Sequence, residues 1–238
     1  MRGAPQGSTP VPAERVWLFD LDNTLHDAAA SAFGPLDRAM NAYIVAELGL
    51  SVQQADDLRA HYWQRYGATL LGLMRHHGVR PHHFLHHTHV LPGLEQSLRT
   101  HPHDVAALRR LPGRKYVLTN APLAYAERVL RHLGLWRHLD GVFAIEHMTM
   151  FGQWRPKPDT RMFRALAARL GVPAARCVLV EDTLAHQKAA RSVGMRTVWM
   201  QRWARRASHG PEVGVYLHRR PSYVCARIQK LQQLRRVP

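Results

Sequence analysis

Cysteine is nearly absent from this chain of 238 residues, which holds only Cys177 and Cys225. Two thiols are too few for a disulfide framework, and Cys177 lies in an apolar run that reads as a buried strand. A reducing, cytoplasmic setting is therefore expected. No apolar run approaches the ~20 residues needed to cross a bilayer, and the segment from Met1 to Glu14 has Pro and Gly but no continuous apolar stretch. A soluble protein without a membrane partner is expected. Acidic residues are also scarce, since 17 Asp and Glu stand against 33 Lys and Arg. That imbalance gives a basic surface that attracts anions such as phosphates or nucleic acid. There is no convincing internal repeat. With 46% hydrophobic residues the chain can bury a substantial core, which excludes disorder throughout and fits one large domain or a domain carrying an insert.

Five apolar or β-branched runs read as strands: Val16–Asp20, Tyr116–Thr119, Val142–Ile145, Cys177–Glu181 and Thr197–Met200. Helical patterns separate the later ones. Leu123, Ala126, Val129, Leu130 and Leu133 recur at helical spacing up to Gly134, and Met162, Phe163, Leu166 and Leu170 do so before Gly171. The alternation predicts an α/β, Rossmann-like parallel sheet with ligands beyond the carboxyl ends of its strands. Between the first two strands it is interrupted by a long stretch of different character, expected to be an inserted helical domain. The reading is a flexible segment over 1–14, a core over 15–26 and 111–204, a helical cap over 27–110 and a basic tail over 205–238.

Within the insert, Phe33, Leu36, Met40, Tyr43, Ile44 and Leu48 form one helical stripe, and Leu58, Tyr62, Trp63 and Tyr66 suggest another, continued by Leu70, Leu71 and Met74. Core packing is the plainer role for most of these aromatics. The insert also holds His76, His77, His82, His83, His86, His87 and His89. A metal site there lacks accompanying Cys or carboxylate ligands, and a solvated helix surface explains the stretch equally well.

The strongest chemical signal is Asp20-Leu21-Asp22-Asn23-Thr24, directly after the strand Val16-Trp17-Leu18-Phe19. Alternation places Asp20 and Asp22 on a common side where the strand ends. Two nearby carboxylates suit divided labour, one ionised as nucleophile or metal ligand and the other carrying a proton. A carboxylate-rich turn with a capping role is the alternative. Further groups stand at later strand ends: Thr119-Asn120, Lys157 within Arg155-Pro156-Lys157-Pro158, and Glu181-Asp182. A hydroxyl can hydrogen-bond a phosphoryl oxygen, an ammonium can neutralise its charge, and carboxylates can hold magnesium. Each has an ordinary structural reading alone; their joint order and placement favour chemistry.

These four motifs resemble the haloacid dehalogenase superfamily over about Arg15 to Trp203. The resemblance implies that Asp20 becomes an aspartyl-phosphate and that Asp22 protonates the leaving oxygen and then activates water. It also implies Mg2+ held by Asp20, the backbone carbonyl of Asp22 and Asp182, with Glu181 in the same acidic pair, and phosphate held by Thr119 and Lys157. The insert resembles the family's C1-type cap. Asp22-Asn23-Thr24-Leu25-His26 leading to Met40, and Tyr62-Trp63-Gln64-Arg65-Tyr66-Gly67 leading to Leu71-Gly72-Leu73, look similar to pyrimidine 5'-nucleotidases. A pyrimidine nucleoside 5'-monophosphate is then the expected substrate, with His26, Phe33, Tyr66 and Asn120 as candidate binding residues and core packing the plainer role for Phe33. One departure is His186, where related sequences often carry Asn or Asp four residues beyond the metal Asp.

Other readings stay open. A phosphatase of another small metabolite, such as phosphoglycolate or a sugar phosphate, fits the same quartet, as does a mutase. A dehalogenase proper needs neither a metal nor a second acid, and a phosphonatase would call for a cap lysine, absent from Asp27 to Arg110. From another class, a basic nucleic-acid-binding protein on this scaffold draws support from Arg202, Arg205, Arg206, Arg219, Arg220, Arg227, Lys230, Arg235 and Arg236, with Trp203, Tyr216 and Tyr223 interleaved. The plainer account of that stretch is a solvated appendage, or a strand and helix packed on the domain.

Overall fold

A computed structural model describes residues 15–99, 101–203 and 220–237. Its strands are β1 (Val16–Phe19), β2 (Arg114–Leu118), β3 (Gly141–Phe143), β4 (Thr149–Met150), β5 (Gln153–Trp154), β6 (Cys177–Glu181), β7 (Arg196–Met200) and β8 (Ala226–Ile228). Six form one sheet in the order β3-β2-β1-β6-β7-β8, with every neighbouring pair parallel. β4 and β5 make a separate antiparallel hairpin that no sequence pattern announced. β1 lies at the centre, which is why Val16-Trp17-Leu18-Phe19 is a continuous apolar run: a parallel strand is covered on both faces.

The helices are α1 (Ala28–Ser31), α2 (Phe33–Leu48), α3 (Val52–Tyr66), α4 (Thr69–His77), α5 (Pro81–Thr88), α6 (Leu94–Ser97), α7 (Pro102–Arg110), α8 (Leu123–His132), α9 (Thr160–Arg169) and α10 (Leu184–Ser192). Among the described residues none is long and apolar enough to cross a membrane. Side-chain alternation along β1 divides the core into two layers. Trp17 and Phe19 join Val117, Val178 and Val180 against Tyr125, Ala126, Val129 and Leu130 of α8. Val16 and Leu18 join Leu118, Cys177 and Leu179 against Met162, Phe163 and Leu166 of α9. Both helices end as the glycines predicted, with Gly134 and Gly171 at φ of 69° and 68° beyond their last turns.

A third cluster is built by the inserted helices from Tyr43, Ile44, Ala55, Tyr62, Leu70, Leu73, Phe84 and Leu85, and it meets the core through Ile145 and the flank of Trp154. Ser51 opens α3 with a capping box, its hydroxyl accepting from Gln54 N at 3.2 Å while Gln54 Oε1 accepts from Ser51 N at 2.9 Å. The ends of the insert behave differently: Ala28, Ala32, Leu91, Leu94, Leu98 and Leu108 pack with the sheet. Two glycines carry close approaches. A Cβ at Gly72 would stand 2.1 Å from Tyr62 Cγ, so α4 lies flat on that ring; a Cβ at Gly67 would stand 2.7 Å from Pro158 Cδ, where the α3–α4 turn touches the loop of Lys157. These contacts give the Tyr62-to-Leu73 motif a packing role.

The stretch expected to be a basic tail is corrected in part. Residues 226–228 supply the sixth strand, and Ile228, Leu231, Leu234 and Val237 are buried in the sheet-side core while Arg227, Lys230, Arg235 and Arg236 face outward. The alternation was hidden because the strand is only three residues long and its single polar position is Arg227. Arg202 is committed to a bidentate pair with Asp104, and Arg220 donates to Cys225 O. The segment over 1–14 expected to be flexible, together with Arg205, Arg206, Tyr216 and Arg219, lies outside the described residues.

Candidate active site

Register brings the sequence-predicted groups together. Phe19 pairs with Val117 of β2 and Val180 of β6, so Asp20 and Glu181 follow the paired residues directly, and Thr119 comes one residue later, at the same edge of three adjacent strands. Asp20 N still donates to Val180 O at 2.9 Å, which holds the first carboxylate to the strand end. The chain then turns sharply. Asn23 takes φ of 55°, a conformation Asn tolerates, and its Oδ1 accepts from Ala29 N at 3.1 Å.

Lys157 is the centre of the cluster. Its Nζ, on a side chain 1% exposed, donates to Asp20 Oδ1 at 2.6 Å and to Glu181 Oε2 at 2.8 Å. The other Glu181 oxygen accepts from Thr183 N at 3.1 Å. Asp20, Glu181 and Asp182 each offer an oxygen within 4.8 Å of the others, a set that is buried except for the half-buried Asp182. Burial and Glu181 push the Asp20 carboxyl up to about 8, against the pull of Lys157. Burial, Glu181 and Asp20 likewise hold Asp182 well above the usual range. Burial acts in the same sense on Glu181, yet Lys157 and His186 outweigh it and hold that carboxyl low. Burial opposes the charge on Lys157, but Asp20 and Glu181 overcome it and raise the amine. Three carboxyl groups around one ammonium carry an excess of negative charge once all are ionised, and a set of hard oxygen donors fits a divalent ion such as Mg2+.

Thr119, 1% exposed, accepts from Ala121 N at 3.0 Å through its Oγ1, which leaves the hydroxyl proton available to donate. Asp22 stands apart from the Lys157 cluster. Its Oδ1 accepts from Tyr125 Oη at 2.7 Å and lies 2.9 Å from His26 Nε2. His186 Nδ1 is 3.1 Å from Glu181 Oε2, an electrostatic contact outside hydrogen-bond angles.

The four candidate base-binding residues each make contacts within the protein. His26 is engaged with Asp22. Asn120 clamps the Lys157 backbone at both ends, its Oδ1 accepting from Lys157 N at 3.0 Å and its Nδ2 donating to Lys157 O at 2.9 Å. Phe33 packs on the sheet-side core and Tyr66 on the insert's cluster, where its hydroxyl is 2.6 Å from His76 Nε2. Three of the insert's other histidines meet aromatic neighbours: Tyr62 Oη and His77 Nε2 are 2.8 Å apart, as are Tyr43 Oη and His83 Nδ1, and His82 meets the edge of Trp154. His89 instead faces Tyr125 edge-on, with ring centroids 6.0 Å apart, and burial lowers its imidazole to about 4. Tyr125 is the residue sequence reasoning missed. It is not among the residues of the helical stripe given for α8, and only the proximity of Asp22 distinguishes it.

Comparison with known proteins identifies the family and the fold. The family model of haloacid dehalogenase-like hydrolases matches residues 15–194. Phosphate metabolism protein 8 of Saccharomyces cerevisiae is 24% identical over 203 residues, covering 80% of this chain and 63% of the yeast protein. Fructose-1-phosphate phosphatase YqaB of Escherichia coli is 40% identical over 80 residues, 34% of this chain and 40% of that protein. The matches thus span less than two thirds of either relative. Among solved structures, a HAD phosphatase from Thermococcus onnurineus superposes with a TM-score of 0.60 at 20% identity, covering 94% of this chain and 97% of that one.

Proposed function

Because the chain belongs to the haloacid dehalogenase-like hydrolase family, whose model matches residues 15–194, we propose that it hydrolyses a small phosphate monoester through an aspartyl-phosphate on Asp20. The observation that carries this reading is the buried Lys157 ammonium held 2.6 Å from Asp20 and 2.8 Å from Glu181, with Asp182 beside them and Asp22 set apart. A halide leaving group would need no second acid, whereas an alkoxide leaving group does. Asp20 attacks phosphorus and the P–O bond to the leaving group breaks; Asp22 gives its proton to the departing oxygen, releasing the alcohol. Water then attacks the phosphorus of the aspartyl-phosphate and yields a proton to Asp22, which frees Asp20 and inorganic phosphate. Thr119 donates its hydroxyl to a phosphoryl oxygen, and Lys157 offsets charge there while restraining Asp20. Asn120 keeps Lys157 in place through its backbone.

Mg2+ would be held by Asp20, Asp182 and the backbone carbonyl of Asp22, with Glu181 contributing charge, and when bound it supplies positive charge against the transferring phosphoryl group. Chelation should abolish turnover and added Mg2+ restore it. Asp20→Asn should be inactive while folded; near-normal turnover by that variant would exclude the mechanism.

For the substrate, the motif of the insert supports a pyrimidine nucleoside 5'-monophosphate. A second reading, a sugar phosphate, draws support from the engagement of His26, Asn120, Phe33 and Tyr66 with other parts of the protein and from the activity for which the Escherichia coli relative is named. Measuring kcat/KM for UMP, CMP, dTMP, AMP, GMP, phosphoglycolate and fructose 1-phosphate separates them. A pocket that selects pyrimidines should penalise purines by about 10- to 200-fold. Purines equal to pyrimidines, or a sugar phosphate above both, would leave the phosphatase reading and remove the nucleotide one. The basic exterior is also proposed to attract polyanions weakly, a property read by the salt dependence of nucleic-acid binding.

A further inference from the structure

Two buried side chains from different parts of the chain converge on a single atom of the proposed acid. Tyr125, 2% exposed, rises from the first turn of α8 and donates its phenol to Asp22 Oδ1 at 2.7 Å. His26, 1% exposed, closes the loop after β1 and sets Nε2 2.9 Å from the same oxygen. Each ring is itself supported. His26 Nδ1 lies 3.4 Å from Ser31 Oγ, and Tyr125 is covered edge-on by His89 from the end of α5. An Asp side chain has two torsions and a nearly two-fold terminal one, so a carboxylate at the mouth of a site would swing between orientations unless it is held.

We infer that Tyr125 and His26 are positioning residues that lock the Asp22 carboxylate through Oδ1, so that Oδ2 is the oxygen that exchanges a proton with the leaving group and then with water. With the phenol and the imidazole N–H both donating to Oδ1, a proton on Oδ2 leaves both bonds intact, whereas a proton on Oδ1 would meet two donors. The phenol and imidazole touch neither the phosphoryl group nor the reacting atoms; they act through Asp22. This rests on the phosphatase reading above, and its test separates the two.

The measurement is kcat/KM, which reports the steps through leaving-group departure, for p-nitrophenyl phosphate and for an alkyl phosphate such as glycerol phosphate. A phenolate of low basicity leaves with little help, while an alkoxide needs the proton. In Tyr125→Phe and in His26→Leu the alkyl phosphate should fall relative to p-nitrophenyl phosphate by about tenfold or more, part of the ~10² to 10⁴-fold that general acid catalysis supplies. His26→Gln, whose amide N–H can reach the same oxygen, should recover a good part of the ratio. The double variant Tyr125→Phe with His26→Leu should lose less than the product of the single losses, since both act on one oxygen. A ratio unchanged within about twofold in both single variants would overturn the positioning role, as would equal loss on both substrates, which marks a structural one. Turnover that survives Asp20→Asn would instead overturn the phosphatase reading itself.

Discussion

Replacing Lys157 by Met tests the electrostatic logic of the cluster. Methionine keeps the reach of the apolar stem and removes only the cation. In the native protein that ammonium is buried and bonded to two carboxylates at 2.6 and 2.8 Å. Removing one partner of a buried ion pair costs about 3–5 kcal/mol, because the remaining charge stays desolvated. At about 2–4 °C per kcal/mol for a chain of this size, the melting temperature should drop by ~6–20 °C. The loss should depend on pH with a definite sign. The Asp20 carboxyl already stands at about 8 through burial and Glu181, and the downward pull of Lys157 would be gone. A carboxyl raised above its unfolded value of about 3.9 favours the fold at acid pH and loses that contribution as pH rises through the folded value. The variant's deficit, measured by scanning calorimetry in chelator, should therefore be larger at pH 8 than at pH 5.5. Adding Glu181→Gln to Lys157→Met should recover part of it. A variant as stable as the native protein at pH 8, or a deficit independent of pH, would refute the reasoning.

Three further outcomes follow from the same geometry. Gly72→Ala sets two effects against each other: helix propensity favours Ala by about 1 kcal/mol, while a Cβ 2.1 Å from the Tyr62 ring overpacks at a cost of about 1–3 kcal/mol or more. Net destabilisation by thermal melting is expected, and a stabilised variant would show that the ring moves aside freely. Truncation after Trp203 removes β8 and the buried Ile228, Leu231 and Leu234, so the shortened chain should melt lower and bind an apolar dye; native-like melting would show the sixth strand to be dispensable. Asp22→Asn should lower kcat on an alkyl phosphate by ~10² to 10⁴-fold with the fold intact, and a loss under tenfold would remove Asp22 from the chemistry.

The sequence alone determined five of the six parallel strands and the arrival of Asp20, Thr119 and Glu181 at the ends of three of them, because those three close on apolar runs, 16–19, 116–118 and 177–180, and each functional residue is the first polar group after its run. Parallel register then aligns those ends without further information. What only the tertiary structure decided is the use of groups whose partners are remote in the chain. Asn120 lies 37 residues from the Lys157 backbone it clamps, and Tyr125 lies 103 residues from the Asp22 oxygen it holds. Nothing in a local pattern separates an Asn that reads a ligand from one that braces a loop, or a core tyrosine from one whose hydroxyl finds a carboxylate. The same holds for β8, where three residues are too few to show a period and pairing with β7 supplies the strand. Periodicity reports which face of an element is buried; the atom that each buried polar group meets is set by packing between distant segments.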